Sequence, residues 1–300
     1  MKILLALDGS APSMVARDLV AGLPWPEGTL VQLLAAYQVP ADWTAGVGSS
    51  MDWIGDVEDA ERDRLTEELE VLAGPLVENG LTVERHVLRG RAANVVTDFA
   101  AEAECDLIVT GSRGRGQLGS MLLGSVAAEI ADHAPCPVLV ARGSGVSRLL
   151  VATDGSRNAN QVPDLLEAWG AFRDISADAV AVSIPDSPAF ELMVGLYTLG
   201  DERLANKRRE LRGQYQADAE AMARRLTEIG TPATPHLRAG DPAHEILLAA
   251  DQLRSDLIVT GSRGLGGLER LLLGSVARKV LIHARCSVLI LRTAAAPDPT

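Results

Sequence analysis

Cysteine, histidine and long apolar runs are scarce in this 300-residue sequence, and each scarcity removes a class of function. The three cysteines, Cys105, Cys136 and Cys286, stand in no CxxC or metal-ligand spacing, so no thiolate metal site is expected. The five histidines, His86, His133, His236, His244 and His283, form neither a Ser-His-Asp arrangement nor a metal-ligand cluster. No apolar run approaches the roughly 20 residues that span a bilayer, so no membrane partner is expected. The opening MKILLALDGS has an apolar run of five residues, Ile3 to Leu7, before Asp8. That is too short for the apolar stretch of a signal peptide and reads as a buried first strand. A reducing, cytoplasmic location is the expectation. There is no GxxxxGK[ST], which excludes a P-loop NTPase, and neither an SGGxDS loop nor a HIGH-type motif.

Basic residues are also in deficit. The net charge is −12, and residues 1–146 hold 10 Lys and Arg against 21 Asp and Glu. A strongly acidic first half argues against nucleic-acid binding. A phosphate bound there must be held by local groups, against the overall field.

What is present is a long repeat. DLIVTGSRG occurs at 106–114 and again at 256–264; LLGSVA occurs at 122–127 and at 272–277; ILLALDGS at 3–10 is echoed by LLVATDGS at 149–156. This is a duplicated domain, not a short-period solenoid. The Gly/Ser link RGSGVS at 142–147 marks the boundary. It predicts domains over 1–145 and 146–294, with 295–300 as a disordered tail. Cys136 and Cys286 are repeat equivalents and read as small core residues. His133 and His283, near the ends of equivalent helices, read as C-terminal caps.

Each copy alternates strands and helices. In the first, strands are expected at 2–7, 30–37, 81–88, 106–110 and 138–141. Helices are expected at 11–22, 56–79 (with a possible break at Gly74-Pro75), 92–103 and 121–132. In the second, strands are expected near 148–153, 179–184, 234–238, 256–260 and 288–291. Near-continuous apolar strands imply burial on both faces, hence an α/β fold with a parallel sheet. The basic stretch RLANKRRELR at 203–212 reads as a solvated helix face. Trp43 and Trp53 lie in a long loop and read either as a lid or as hydrophobic anchors.

The phrase GSRGRGQLGSMLLGS at 111–125 and its counterpart at 261–275 share the spacing G-x2-G-x9-G-S. Strand, glycine turn, then helix N-terminus aims backbone N–H groups at a phosphate. Glycine lets the backbone approach the ligand closely. The candidates are Gly111, Gly114, Gly124 and Ser125, then Gly261, Gly264, Gly274 and Ser275. Ser125 and Ser275 either cap the helix or donate to a phosphate oxygen. Arg113 and Arg263 either reach a phosphate or are solvated loop charges. Arg115 becomes Leu265, Gly119 becomes Glu269 and Ser120 becomes Arg270, so the two sites are expected to differ in affinity.

Both halves resemble the universal stress protein family, carried by the aspartate of LALDGS and VATDGS, the G-x2-G-x9-G-S phrase and the final strand after CPV or CSV. The resemblance implies two doubly wound, Rossmann-like domains, each with five parallel strands in order 3-2-1-4-5. It implies an adenine nucleotide, ATP in this branch, at the strand carboxyl ends, where ligands sit at a switch point. By resemblance Asp8 and Asp154 face the nucleotide near its ribose or a bound Mg²⁺; the alternative is a plain turn aspartate in D-G-S. Ala36 and Ser183 would offer backbone atoms to adenine. The last strands of such domains pair across a twofold, implying an internal pseudo-dimer of the halves and leaving room for a homodimer. The expected role is regulatory or stress-related, with an unnamed protein partner and at most slow Mg-dependent hydrolysis. The rival readings are a true ATPase or nucleotidyl transferase, and an interaction module with relic nucleotide sites.

Overall fold

The computed structural model describes residues 1–38, 52–114, 123–184, 202–262 and 273–292; for helix residues 52–54 and 202–205 it describes the backbone alone. The tail at 295–300 and the loop tryptophan Trp43 lie outside the described residues, as does the Trp53 side chain. Contacts divide the chain into two units: Met1–Gly22 with Pro26–Ser144, and Gly145–Thr300 with Leu23–Trp25.

The first unit runs β1 (Lys2–Ala6), α1 (Ala11–Gly22), β2 (Leu30–Tyr37), α2 (Asp52–Glu78), β3 (Thr82–Arg89), α3 (Ala92–Glu102), β4 (Leu107–Gly111), α4 (Ser125–His133) and β5 (Val138–Ala141). All its strand pairs are parallel, in the order β3-β2-β1-β4-β5. The second unit runs β6 (Arg148–Thr153), a 3₁₀ turn (Ala159–Gln161), α5 (Val162–Trp169), β7 (Ser176–Ser183), α6 (Glu202–Glu228), β8 (Ala233–Ala239), α7 (Pro242–Leu253), β9 (Leu257–Gly261), α8 (Ser275–His283) and β10 (Ser287–Leu291). Its order, β8-β7-β6-β9-β10, is the same 3-2-1-4-5. Each unit is the doubly wound fold that the motif resemblance implies.

Apolar continuity explains the central strands. Ile3, Leu4 and Leu5 of β1, and Leu107, Ile108 and Val109 of β4, are completely buried, because helices cover both faces: α1 and α2 lie on one, α3 and α4 on the other. The expectation of two-sided burial fails for β3 and β8, which have no fully buried residue. They are edge strands, and Glu84, Arg85 and Arg89 keep the edge of β3 charged and wet. Helix α2 also departs from expectation, running unbroken through Pro75. Proline removes one intrahelical bond, but Leu72, Ala73 and Leu76 around it are buried and hold the segment helical. Among the described residues no helix is long and apolar enough to cross a membrane.

The topology positions the site. From β1 the chain crosses to β2 on one side and, after β3, returns to β4 on the other. The carboxyl ends of β1 and β4 therefore lie side by side where the strand order reverses, the place at which open α/β sheets take their ligands. The second unit does the same with β6 and β9.

Candidate functional site

At the carboxyl end of β1 the chain turns through Asp8-Gly9-Ser10. Gly9 has φ +70°, a conformation that favours glycine. Asp8 Oδ1 accepts a hydrogen bond from the Ser10 N–H at 3.0 Å, an Asx turn. Its other oxygen faces the glycine loop: a Cβ on Gly114 would lie 2.7 Å from Asp8 Oδ2. The Ser10 hydroxyl donates to the Arg113 carbonyl at 3.4 Å, tying the turn after β1 to the loop after β4. Gly111 is closer still. A Cβ there would stand 2.6 Å from the carbonyl carbon and oxygen of Pro12 and 2.8 Å from the Ser13 nitrogen, so only glycine fits.

The loop between β4 and α4 is pinned at its base. The Gly124 N–H donates to the Ser112 carbonyl at 2.7 Å, and the Ser112 N–H donates to Ala141 of β5 at 3.2 Å. Helix α4 thus starts beside the end of β4. Its first intrahelical bond is Ala128 N–H to Gly124 C=O, so the N–H groups of Ser125, Val126 and Ala127 precede the helical ladder and lie at the positive end of the dipole. Of the two readings of Ser125 and Ser275, the helix cap falls away and the phosphate donor is left. The N-caps are Gly124 and Gly274, with ψ 156° and 155° and no side-chain bond, and each serine is the first helical residue, exposed to solvent.

The second unit repeats this frame. Gly155 has φ +72°, Asp154 Oδ1 accepts from the Ser156 N–H at 3.0 Å, Gly274 N–H donates to Ser262 C=O at 2.8 Å, and Ser262 N–H to Leu291 C=O at 2.8 Å. Gly261 ends β9. Arg263 and Gly264 lie outside the described residues, as do Arg115, Gly119, Ser120, Leu265, Glu269 and Arg270.

The two frames have counterparts among known proteins. The model of the universal stress protein family matches twice, over residues 1–142 and 145–292. The chain belongs to the universal stress protein family. A universal stress protein of Mycolicibacterium smegmatis is 30% identical over 307 aligned residues, covering 97% of this chain and 96% of that one. One from Thermus aquaticus is 33% identical over 144 residues, 47% of this chain and 97% of its own length. Among solved structures, a universal stress protein from Archaeoglobus fulgidus superposes with a TM-score of 0.62 at 19% identity, over 97% of this chain and 98% of that one.

The sheet register corrects one sequence assignment of these universal stress protein domains. Tyr37 pairs with Arg89 and Ser183 with Ala239. The Gly90 N–H donates to the Tyr37 carbonyl at 2.8 Å, and Gly240 to Ser183 at 3.3 Å. Ser183 is therefore the counterpart of Tyr37, while Ala36 corresponds to Val182. The sequence match slipped by one because these strands carry no motif.

Sequence reading missed a group on the second long helix. A Cβ on Gly155 would lie 2.5, 2.7 and 2.8 Å from Oδ2, Cγ and Oδ1 of Asp218, so this α6 carboxylate rests on the backbone of the turn beside Asp154. Burial, then the charge of Asp154, holds the Asp218 carboxyl above its ordinary range. Burial, with Asp154 and then Asp218, also raises the Tyr215 phenol. Nothing in the linear sequence announces this group, because Asp218 is 64 residues beyond Asp154 and in no motif.

The remaining candidates take structural places. Cys105 and Cys136 are buried, and Cys286 is partly so. The Cys105 thiol donates to Gln32 Oε1 at 3.3 Å, and burial pushes it up to about 11, an inert thiol. His133 Nδ1 lies 3.0 Å from the Glu129 carbonyl, in the last turn of α4. Lys207 of the basic stretch pairs with Glu210 on an exposed face. No group of three metal-ligating side chains occurs among the described residues. Chemically, the frame offers an anion backbone N–H groups, a helix dipole and a flanking carboxylate.

Proposed function

We propose that this universal stress protein binds an adenine nucleotide, ATP by our reading, where β1 meets β4 and β6 meets β9, and that it works as a nucleotide-responsive regulator. The observation that carries the reading is the approach of Asp8 Oδ2 to Gly114 beside a Gly111 that tolerates no side chain. Gly111 would lock the end of β4 against α1, and the loop that follows would bring backbone N–H groups to a phosphate over the start of α4. At this site Gly111, Gly114, Gly124 and Ser125 would hold ribose and phosphates, with Arg113 at the loop. Gly261, Arg263, Gly264, Gly274 and Ser275 would do so in the second copy. Asp8 and Asp154 would face the ribose, or a Mg²⁺ carried in with the phosphates. The ends of β2 and β7, at Ala36 or Tyr37 and at Ser183, would meet adenine. Bound Mg²⁺ would supply charge neutralisation for the phosphates.

The test is isothermal titration of nucleotide-stripped protein with ATP and Mg²⁺, beside Gly114→Ala and Gly264→Ala. Mass spectrometry of the stripped extract identifies any carried ligand. Binding near two per chain, halved by each variant, is expected. No binding and no carried nucleotide would instead favour an interaction module.

A further inference from the structure

Two histidines occupy the same register position in the two copies. His86 of β3 pairs with Leu34, and His236 of β8 pairs with Val180. Both strands are sheet edges. Their surroundings differ. His86 Nε2 is buried without a hydrogen-bond partner, 3.8 Å from Glu84, and its ring packs on Phe99 with centroids 4.6 Å apart. His236 Nε2 instead lies 2.7 Å from Oδ1 of Asp178, on the neighbouring strand β7. An ionised carboxylate only accepts, so Nε2 carries the proton and Nδ1 holds the lone pair. The Asp178 side chain is buried, and Arg148 Nε, 3.6 Å from its other oxygen, balances its charge. Arg148 is in turn anchored by the Leu253 carbonyl, to which Nη1 donates at 3.1 Å. The imidazole itself is 30% exposed. Among the described residues no other imidazole has a carboxylate within hydrogen-bond distance; His133 Nδ1 meets the Glu129 carbonyl instead.

We propose that His236 is a phosphoryl-acceptor site, its Nδ1 taking the group from a donor of the phosphoramidate class. The Nδ1 lone pair attacks phosphorus and forms a new P–N bond. The donor's own P–N bond breaks, and its electron pair leaves on the departing nitrogen, as ammonia when the donor is phosphoramidate itself. The proton on Nε2 stays where it is, in the bond to Asp178. The ring gains positive charge as the new bond forms, and the carboxylate 2.7 Å away stabilises that charge. A buried carboxylate thus orients and activates a nucleophilic imidazole. His86 lacks this support, because the counterpart of Asp178 is Gln32. Asp178 pairs with Leu150 in the amino-terminal half of β7, away from the strand carboxyl ends, so the inference stands apart from the nucleotide reading.

The experiment incubates the full chain with phosphoramidate at neutral pH. Peptide mapping in alkali, where phosphohistidine survives, locates the label, and phosphorus NMR distinguishes Nδ1 from Nε2. His236 should be labelled at Nδ1, about tenfold faster than any of the other four histidines. Asp178→Asn keeps the shape and removes the charge. It should slow labelling of His236 about tenfold and leave the other histidines unchanged. A thermal melt checks that the variant is folded; should it not fold, the ratio of His236 to His86 labelling in the unaltered chain carries the test. Even labelling of the five histidines, labelling of His236 at Nε2, or a His236 rate indifferent to Asp178→Asn overturns the inference.

Discussion

The two copies share a backbone frame and disagree about charge. In the first, Arg91 at the start of α3 bridges Glu129 of α4 at 3.0 Å. At the equivalent positions of the second, Asp241 at the start of α7 bridges Lys279 of α8 at 3.4 Å. The contact is kept and the signs are exchanged. Asp241 also caps its helix by accepting from the His244 N–H at 3.0 Å, and that bond, with Lys279, holds its carboxyl below the usual range. Arg91 makes no side-chain cap. Deeper in the sheet, Gln32 of β2 is matched by Asp178 of β7. Gln32 meets Glu84 and the Cys105 thiol, whereas buried Asp178 meets His236 at 2.7 Å and Arg148 at 3.6 Å. The DGS turns and the tie from each helix start to its strand end recur in both copies, and at Gly111 close approach tolerates no side chain. Charges diverged because a paired charge can be replaced by any other pair that balances.

The sharpest break in this comparison should come from the shared frame. Gly111→Ala places a methyl against the Pro12 backbone, which cannot rotate away. It should lower unfolding free energy by about 2–3 kcal/mol, read as a lower urea midpoint. Gly114→Ala meets only the Asp8 carboxylate, which can turn, so its stability cost should stay under about 1 kcal/mol while nucleotide binding suffers. Equal stability losses would erase the distinction between a glycine needed for packing and one needed for a ligand.

Next in size is the diverged pair in the sheet. Asp178→Asn should cost about 1–2 kcal/mol. His236 and Arg148 are 30% and 44% exposed and can resolvate, which keeps the loss below that of a wholly buried pair. A neutral outcome in thermal melts would mean that the ion pair adds nothing over the amide used in the first copy.

A smaller effect, of opposite sign, is expected at Asp218. Its folded carboxyl is raised, so it binds its proton more tightly folded than unfolded. The stabilisation it lends is full at low pH and lost as pH rises through the folded value. Asp218→Asn should therefore raise the melting temperature at pH 7 and bring no gain at pH 3. The smallest effect concerns the exchanged bridge. Arg91→Asp or Glu129→Lys alone should cost about 0.3–0.5 kcal/mol, and the double reversal should recover most of it.

The DGS turns and the positions of Gly111 and Gly261 at strand ends were legible in the sequence, because nine identical residues recur at the same point of two repeats. The central strands were legible because burial on both faces demands unbroken apolar runs. Strand order came with the family resemblance. Edge strands β3 and β8 were placed correctly but their exposure was misjudged, since a strand's neighbours are not written in its own residues. The choice between cap and phosphate donor for Ser125 and Ser275 was left open by the sequence for a related reason. An N-cap is defined by backbone dihedrals, and Gly124 takes the extended conformation one residue before the serine does anything helical.

By itself, then, the sequence determined the duplication, the alternation of strand and helix, and the glycines that a close approach requires, all of which are local or periodic signals. Only the tertiary structure decided that Asp8 faces Gly114, that Tyr37 rather than Ala36 matches Ser183, and that Asp218 rests on the turn beside Asp154. Those contacts join residues far apart in the chain, and their geometry depends on sheet register and helix rotation, which no short stretch of residues encodes.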